Sequence, residues 1–333
     1  MHRFIKAVGS GPKRARDLSR EEARVAMSLV CDGEARPEQI GAFLLALRMK
    51  GEAADELAGF VDALDARSDI GGARAPAGTL DVDCHGDGHE GRATLLPAAA
   101  CALAALGVPV LLRLQRDSPT ARHGLVEALA ALGLDVARPL DGTRAVAALG
   151  ALGVGALDLP RYLAPLDRLV ALRPLLGVRT VAQTLMKLVD PLGCERRAVG
   201  VFHAPYLAST ATALATLGRA GLCVQALGGL PEAAPGKIVR VCRTGAEPET
   251  LDLRALPAFP SERSDAAADR EDAAALNRAA LDGADAPLAR AAAAAALLLH
   301  AARGGDPLAA AADARRVFIS GAARAVAARL ASA

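Results

Sequence analysis

The chain has 333 residues, of which 52% are hydrophobic but only 2% aromatic, and its formal net charge is +2. This length allows a large buried core and one or two domains. The low net charge excludes wholesale attraction to polyanions, although it leaves the distribution of charge open. Because the chain has no Trp, its core must be built from Ala, Leu and Val, and the Ala and Leu content favours helices.

The first predicted elements are helical. Ser19, followed by two glutamates, is typical of a helix start, because its hydroxyl can cap free amides and the acids face the positive end of the helix dipole. A second helix is predicted after Pro37, where apolar residues recur at helical spacing. The pattern predicts an all-helical unit at residues 1–70. The Gly-, Ala- and Pro-rich segment 71–79 is predicted to be a hinge.

After the hinge, strand-like and helical patterns alternate. The strand-like segments LDVDC, VPVLLRL, AVGVF and CVQAL are separated by apolar helical stretches, which is typical of right-handed parallel crossovers. We therefore predict an α/β domain with a mainly parallel central sheet at residues 80–333. Residues 232–272 have weak periodicity and are predicted to form a short strand or two and a surface excursion. The predicted helices are Leu95–Leu106, Gly124–Leu132, Arg144–Leu149, Leu207–Leu217, Leu276–Leu281, Ala291–Arg303, Pro307–Val317 and Ala322–Leu330.

Cysteine usage and hydropathy indicate the setting of the protein. The six cysteines are scattered without a C-x-x-C pair, and the first residues lack an uninterrupted apolar signal core, so we expect a reducing cytoplasm. The longest Ala-rich run, Ala291–Leu299, is too short to span a bilayer and is predicted to be a buried helix. We expect no membrane partner.

Segments spread over most of the chain resemble anthranilate phosphoribosyltransferases. They are residues 18–52, 81–116, 177–191, 199–207 and 320–330, and the third reads GVRTVAQTLMKLVDP. The resemblance implies a small, discontinuous all-helical amino-terminal domain and a larger α/β domain. It also implies that a returning segment at about 160–190 packs on the first helices.

The phosphate-binding turn departs from the pattern of the enzymes that the chain resembles. There, a Gly-Thr-Gly-Gly-Asp turn cradles the diphosphate, because small residues let backbone amides approach it. Here Asp83 and His85 replace glycines, which adds charge and bulk where an anion should enter. The resemblance leaves Gly86, Asp87 and Arg116 as residual phosphate-site positions.

Other motifs of the resembled enzymes are also altered. Their hydroxyl-bearing Asn-x-Ser-Thr becomes Thr-Leu-Leu-Pro at residues 94–97, and Leu and Pro supply no side-chain hydrogen bonds. Their acidic Asp-Gly-Leu-Asp-Glu keeps one carboxylate, Glu232, which is too few for a comparable magnesium site. Arg179, which contacts the aromatic acid in those enzymes, is retained, whereas Lys187 stands where they have proline. We expect no metal site and no cofactor, with Glu232 as a remnant.

The retained scaffold, the altered phosphoribosyl motifs and the opening GSGPKRARDLS at residues 9–19 together resemble the YbiB-type branch of the superfamily, whose members are implicated in nucleic-acid binding as homodimers. The resemblance implies a non-enzymatic homodimer, joined through the helical domain, that binds DNA or RNA without sequence specificity and favours single strands. Basic side chains would neutralise phosphates and release counterions. No catalytic residue is assigned, and the candidate nucleic-acid-binding residues are Lys13, Arg14, Arg16, Arg113, Arg116, Arg179 and Lys187.

Two other functions remain open at this point. A divergent phosphoribosyl or glycosyl transferase that uses phosphoribosyl diphosphate and magnesium would keep Arg116, Arg179 and Glu232 as working remnants. A protein-binding scaffold would show neither phosphate affinity nor turnover. For Lys187 the alternative is an ordinary exposed helix lysine, and for Arg179 it is a structural ion pair.

Overall fold

Four helices form the amino-terminal part of the chain, in a computed structural model that describes residues 1–87, 92–116, 118, 123–257 and 272–331. Ser19 caps the second helix: its Oγ accepts the Glu22 N–H, and the Glu22 carboxylate accepts the Ser19 N–H. Gly59 lets the second and fourth helices touch, because a Cβ there would lie 2.1 Å from the Arg20 carbonyl oxygen. The helices are α1 (His2–Gly9), α2 (Arg20–Cys31), α3 (Pro37–Lys50) and α4 (Ala54–Asp65).

Within the described residues, seven strands form one sheet. They are β1 (Leu80–Asp83), β2 (Val110–Leu114), β3 (Val154–Asp158), β4 (Arg196–Val201), β5 (Ala220–Gln225), β6 (Ile238–Arg243) and β7 (Glu249–Asp252). The order across the sheet is β3-β2-β1-β4-β5-β6-β7; the first five strands are parallel, β6 is antiparallel to β5, and β7 is antiparallel to β6. The predicted α/β fold with a mainly parallel sheet and a small helical amino-terminal domain is confirmed.

Helices cover both faces of the sheet. One buried cluster joins the sheet to the helices that follow β1 and close the chain, and another joins it to the amino-terminal helices and the segment after β3. The helices after β1 are α5 (Leu96–Ala105), α6 (Leu125–Ala131), α7 (Gly142–Leu152), α8 (Leu159–Tyr162), α9 (Ala164–Val170), α10 (Arg173–Leu176), α11 (Val181–Leu188), α12 (Pro205–Thr216), α13 (Ala273–Leu281), α14 (Asp285–Arg303), α15 (Pro307–Ile319) and α16 (Ala322–Leu330).

The segment from α8 to α11 returns to the amino-terminal helices. Helix α11 contacts α3 and α4, and Gly41 on α3 packs against Leu176 at the end of α10. Two backbone hydrogen bonds join the segment to the connection after α4: the Asp69 N–H donates to Tyr162, and the Ala75 N–H donates to Leu192. These contacts place α10 and α11 beside the carboxyl end of β1.

The structure differs from the predicted elements at a few places. Strand β3 was not predicted, because Gly155 interrupts its apolar run; its missing side chain lets the Ala145 carbonyl approach, 2.7 Å from where a Cβ would lie. Helix α14 begins at Asp285 and not at Ala291, where the predicted helix starts, because Pro287 is tolerated in the first turn of a helix. Of the segment predicted as a surface excursion, residues 258–271 lie outside the described residues.

The Ala-rich run predicted as a buried helix lies within α14. Every residue from Ala291 to Leu299 is buried there against the sheet and its neighbouring helices. No helix in the described part of the chain is long and apolar enough to cross a membrane.

Candidate active site

A cleft opens where the strand order reverses between β1 and β4. The chain proceeds outward from β1 to β2 and β3 on one side and from β4 to β5 on the other, and ligands of open α/β sheets bind beside the carboxyl ends of the strands at such a switch point. The cavity volume is about 40 Å³, enough for a few water molecules, so the cleft has little free space. Its lining comes from the turn after β1, Gln115 and Ser118, Val170 at the end of α9, α10 and α11, Phe202 after β4, and Gly228 and Gly229.

Glycines bring three backbone segments together on one side of the cleft. A Cβ on Gly86 would lie 2.5 Å from the Gly228 carbonyl oxygen, and a Cβ on Gly200 would lie 2.2 Å from the Gly229 carbonyl oxygen. Gly228 and Gly229 have positive φ values of 69° and 73°, which glycine adopts readily. The turn after β1, the end of β4 and the turn after β5 are therefore held at a spacing that larger residues would not allow.

At the carboxyl end of β1, Asp83 binds two neighbours. Its Oδ1 accepts hydrogen bonds from His85 Nδ1 at 2.7 Å and from the His85 backbone N–H at 3.1 Å, and its Oδ2 accepts one from Lys187 Nζ at 2.8 Å. Burial opposes ionisation, but the Lys187 ammonium and the His85 hydrogen bond hold the pKa of Asp83 well below its usual range. Asp83 is therefore a carboxylate, and Lys187 is its counter-ion.

The hydrogen bond to Asp83 decides the tautomer of His85. An ionised carboxylate only accepts hydrogen bonds, so the His85 proton lies on Nδ1 and Nε2 presents a lone pair. Burial lowers the pKa of His85, which keeps the imidazole neutral. The side chain is fully buried, and its Nε2 has no hydrogen-bond partner among the described residues.

Asp87, which also lines the cleft, joins the turn after β1 to the returning segment. It forms ion pairs with Arg173 of α10, at 2.9 Å, and with Arg179 before α11. Beside them, Gln183 Oε1 accepts the Thr180 N–H at 2.7 Å. We call the three-residue contact of Asp87, Arg173 and Arg179 the Asp87 latch, since it joins two segments that line the cleft.

A buried charge network lies on the same face of the sheet. Asp81 Oδ1 accepts from Arg113 Nε at 2.6 Å, and its Oδ2 accepts from Arg197 at 2.8 Å. Arg113 also donates to the Met186 carbonyl and Arg197 to the Leu188 carbonyl, both at the carboxyl end of α11. The network therefore ties β1, β2 and β4 to the last carbonyls of that helix, which would otherwise lack partners.

The remaining predicted basic residues lie away from the lining of the cleft. Lys13 and Arg14 are exposed in the turn after α1, and Arg16 pairs with Glu22 at 2.6 Å on the surface. The Arg116 backbone N–H donates to Asp158 at 2.8 Å, and its guanidinium donates to a backbone carbonyl at 3.3 Å. Of the seven basic candidates, Arg179 and Lys187 line the cleft, whereas Arg113 is buried beneath it.

Glu232 caps the start of α5. Its carboxylate accepts from the Thr94 hydroxyl at 2.5 Å and from the Leu95 N–H at 3.2 Å, and burial raises its pKa. In the described part of the chain, no group of three or more His, Cys, Asp or Glu side chains could hold a metal ion. The carboxylates of Asp83, Asp87 and Glu232 each bind protein groups, so these residues do not fit a magnesium site held by the protein.

His123, buried next to the Gly86 backbone, should make stability depend on pH. Burial lowers the pKa of His123 to about 4, against 6.5 for an exposed histidine. The unfolded chain therefore binds a proton below pH 6.5 that the folded chain does not bind until about pH 4, and stability is lost as pH falls through that window. Between pH 7 and pH 5 the free energy of unfolding should therefore fall by about 2 kcal/mol because of His123.

Urea unfolding at pH 7 and 5 measures this effect. Between these two pH values the free energy of unfolding of His123→Asn should fall by about 2 kcal/mol less than that of the unmodified protein, because the asparagine side chain does not titrate. His203→Asn is the control, since His203 is exposed. An equal loss in all three proteins would show that His123 does not carry the effect.

Comparison with known proteins identifies the family. A model described as the helical bundle domain of the glycosyl transferase family matches residues 2–68, and one described as its a/b domain matches residues 79–324. Anthranilate phosphoribosyltransferase from Methylobacterium nodulans is 35% identical over 323 residues, 94% of each chain. The enzyme of that name from Chelativorans sp. is 35% identical over 224 residues, 67% of this chain and 65% of the relative.

Solved structures agree with this result. Anthranilate phosphoribosyltransferase (TrpD) from Thermus thermophilus has a TM-score of 0.81 and 30% identity, and the alignment covers 100% of this chain and 99% of that one. The Saccharomyces cerevisiae enzyme in complex with PRPP and Mg has a TM-score of 0.79, with 99% and 96% covered. At 19% identity the yeast structure shows the shared fold alone.

These matches overturn the nucleic-acid hypothesis. The matched enzymes from Methylobacterium nodulans and Thermus thermophilus are named as transferases and align over nearly the whole chain, and the comparisons establish the family rather than the YbiB-type branch. The prediction was wrong because it counted cations without their partners: Arg113 is buried on Asp81, and Arg179 and Lys187 pair with carboxylates of the cleft. The chain belongs to the glycosyl transferase family, with its helical bundle and a/b domains.

Proposed function

We propose that the protein is a pentosyl transferase that moves a phosphoribosyl group from phosphoribosyl diphosphate to an acceptor in the cleft. The observation that carries the proposal is the 35% identity to an anthranilate phosphoribosyltransferase over 94% of both chains. The position of the cleft at the switch point of the sheet supports it. The altered turn at Asp83 and His85 argues against an unchanged substrate.

The charges of the cleft suit an anionic donor, once the Asp87 latch opens. Arg173 and Arg179 both bind Asp87, so a phosphate that enters must displace this carboxylate. Guanidinium groups bind phosphate with two parallel hydrogen bonds, which makes the exchange favourable. During transfer the ribose C1–O bond to diphosphate breaks, a bond to the acceptor forms, and the proton that the acceptor loses passes to water. The two arginines stabilise the charge of the leaving diphosphate.

Magnesium belongs to this proposal as part of the donor. The yeast structure is described as a complex with PRPP and Mg, which favours magnesium over the expectation of no cofactor. Since the carboxylates of the described residues do not form a site for it, we propose that magnesium enters bound to the diphosphate. Mg²⁺ commonly binds through substrate phosphates and water with few protein ligands.

Titration calorimetry with phosphoribosyl diphosphate and magnesium chloride tests donor binding. We expect binding by the unmodified protein and affinity at least about tenfold lower for Arg179→Ala, which removes one phosphate-binding guanidinium. Arg316→Ala is the matched control, because Arg316 pairs with Asp313 on the surface of α15. An unmodified protein that binds no donor at millimolar concentration would contradict the proposal.

Opening the Asp87 latch by mutation should strengthen donor binding. Asp87→Asn removes the charge that holds Arg173 and Arg179, so the dissociation constant for the donor should fall by roughly tenfold. The same calorimetric titration measures it. Weaker binding by this variant would mean that the Asp87 carboxylate itself holds the donor.

We also propose that the chain forms a homodimer through its helical domain. Exposed apolar side chains support this: Met49 at the end of α3 is 85% exposed and Leu175 on α10 is 81% exposed. Light scattering should show a dimer for the unmodified protein and a monomer for the double variant Met49→Glu/Leu175→Glu. A monomer for both proteins would contradict the dimer.

A cytoplasmic location stays part of the proposal, since all six cysteines are free.

A further inference from the structure

Two buried polar atoms of the cleft lack hydrogen-bond partners. His85 Nε2 and Gln183 Nε2 are both inaccessible to solvent, and neither has a partner among the described residues. Both residues line the same cleft. A buried polar atom without a hydrogen-bond partner destabilises the protein, so two such atoms at a binding site indicate a ligand that pairs with them.

The two atoms have opposite and fixed hydrogen-bonding characters. His85 Nε2 is an acceptor, because Asp83 binds the proton on Nδ1. Gln183 Nε2 is a donor, because the Thr180 N–H donates to the amide oxygen and thereby fixes which end of the side chain is free. Neither side chain can reverse its orientation without breaking the bond that holds it.

An acceptor atom and a donor atom in one narrow cleft match a ligand that presents the reverse pair. A cyclic amide does so, since it has an N–H next to a C=O in one plane. Phe202, which lines the cleft and is 48% exposed, offers an apolar ring surface for such a planar molecule. A carboxylate presents only lone pairs, which the lone pair of His85 Nε2 would repel.

We propose that the acceptor of this transferase is a neutral cyclic amide, whose N–H donates to His85 Nε2 and whose C=O accepts from Gln183 Nε2. The inference rests on the proposed function, and it names the substrate class of the same cleft. Arg173 and Arg179 bind Asp87 before the donor enters and, by the proposed function, the diphosphate of the donor afterwards, so neither guanidinium is offered to the carboxylate of an aromatic acid. A ring exceeds the cavity of about 40 Å³, so the acceptor enters with the Asp87 latch open.

Three probes in ligand-observed NMR distinguish the possibilities. 2-Pyridone carries the N–H and C=O pair, N-methyl-2-pyridone lacks the N–H, and benzoate is a carboxylate of similar size. We expect 2-pyridone to bind at least about tenfold more tightly than the other two, because the analogue without N–H leaves His85 Nε2 unpaired. Equal binding of the methylated probe, or tighter binding of benzoate, would overturn the inference.

The variant Gln183→Glu tests whether the unpaired amide of Gln183 binds 2-pyridone. Gln183→Glu keeps an oxygen for the Thr180 N–H and replaces the free donor by an acceptor, so 2-pyridone affinity should fall by at least about tenfold. Unchanged affinity would overturn the inference even if the unmodified protein prefers 2-pyridone. Donor titration of the unmodified protein separates the two proposals: donor binding without 2-pyridone selectivity refutes only the acceptor, and absence of both refutes the transferase as well.

Discussion

Asp81→Asn should destabilise the protein by about 3–5 kcal/mol, because it removes the shared counter-charge of two buried guanidiniums. Arg113 and Arg197 are fully buried, and both donate to the Asp81 carboxylate. Burial disfavours the charged guanidinium, yet Asp81 raises the pKa of Arg113 well above its usual value, so Arg113 stays charged. Without Asp81, Arg113 keeps carbonyl groups at the end of α11 as hydrogen-bond partners, and Arg197 keeps one such carbonyl group and the more distant Asp190 carboxylate, at 3.4 Å.

Urea unfolding at pH 7 measures this loss. Asp252→Asn provides the matched control, because Asp252 forms a similar 2.6 Å contact with Arg254 in which both side chains are more than half exposed. The control should leave the stability almost unchanged, since exposed ion pairs contribute little. If Asp81→Asn loses as little stability as the control, the buried network is not needed for stability.

Gly200→Ala should destabilise the protein by about 3 kcal/mol and abolish donor binding. The new Cβ would lie 2.2 Å from the Gly229 carbonyl oxygen and 2.4 Å from the Leu230 carbonyl carbon, so β4 and the turn after β5 must separate. Both segments line or support the cleft, and its geometry should change with them.

Gly150→Ala is the control for this steric effect. Gly150 lies inside α7, and a Cβ there would meet no atom within 4 Å, so this change should stabilise the protein by up to about 1 kcal/mol. Thermal unfolding and donor titration of the two variants give the comparison. Similar stability for both variants would contradict the close packing at Gly200.

The local signals in the sequence predicted most of the fold. The capping box at Ser19 and the apolar strands β1, β2, β4 and β5 lie where propensity and periodicity indicated. Strand β3 was not predicted because Gly155 weakens its apolar pattern. The reason for a glycine there is the close approach of α7, which only the structure shows. Close approach of two segments is a feature of the tertiary structure, and local sequence patterns do not predict it.

The site was harder to predict because its partners are distant in sequence. Lys187 stood out as an unusual cation, but its partner Asp83 lies 104 residues away. Arg113 carried a usable signal, since a charge inside the apolar strand VLLRL must be paired if it is buried. The parallel register places Asp81 and Arg197 opposite each other on β1 and β4, which the sequence alone did not show.

The central claim is that the cleft transfers a phosphoribosyl group. The most direct measurement is the release of diphosphate from phosphoribosyl diphosphate and magnesium, with anthranilate and a panel of cyclic amides as acceptors and Arg179→Ala as the site variant. We predict release that depends on an acceptor and falls at least about tenfold in the variant. Saturating donor without acceptor-dependent release for either class of acceptor would contradict the claim.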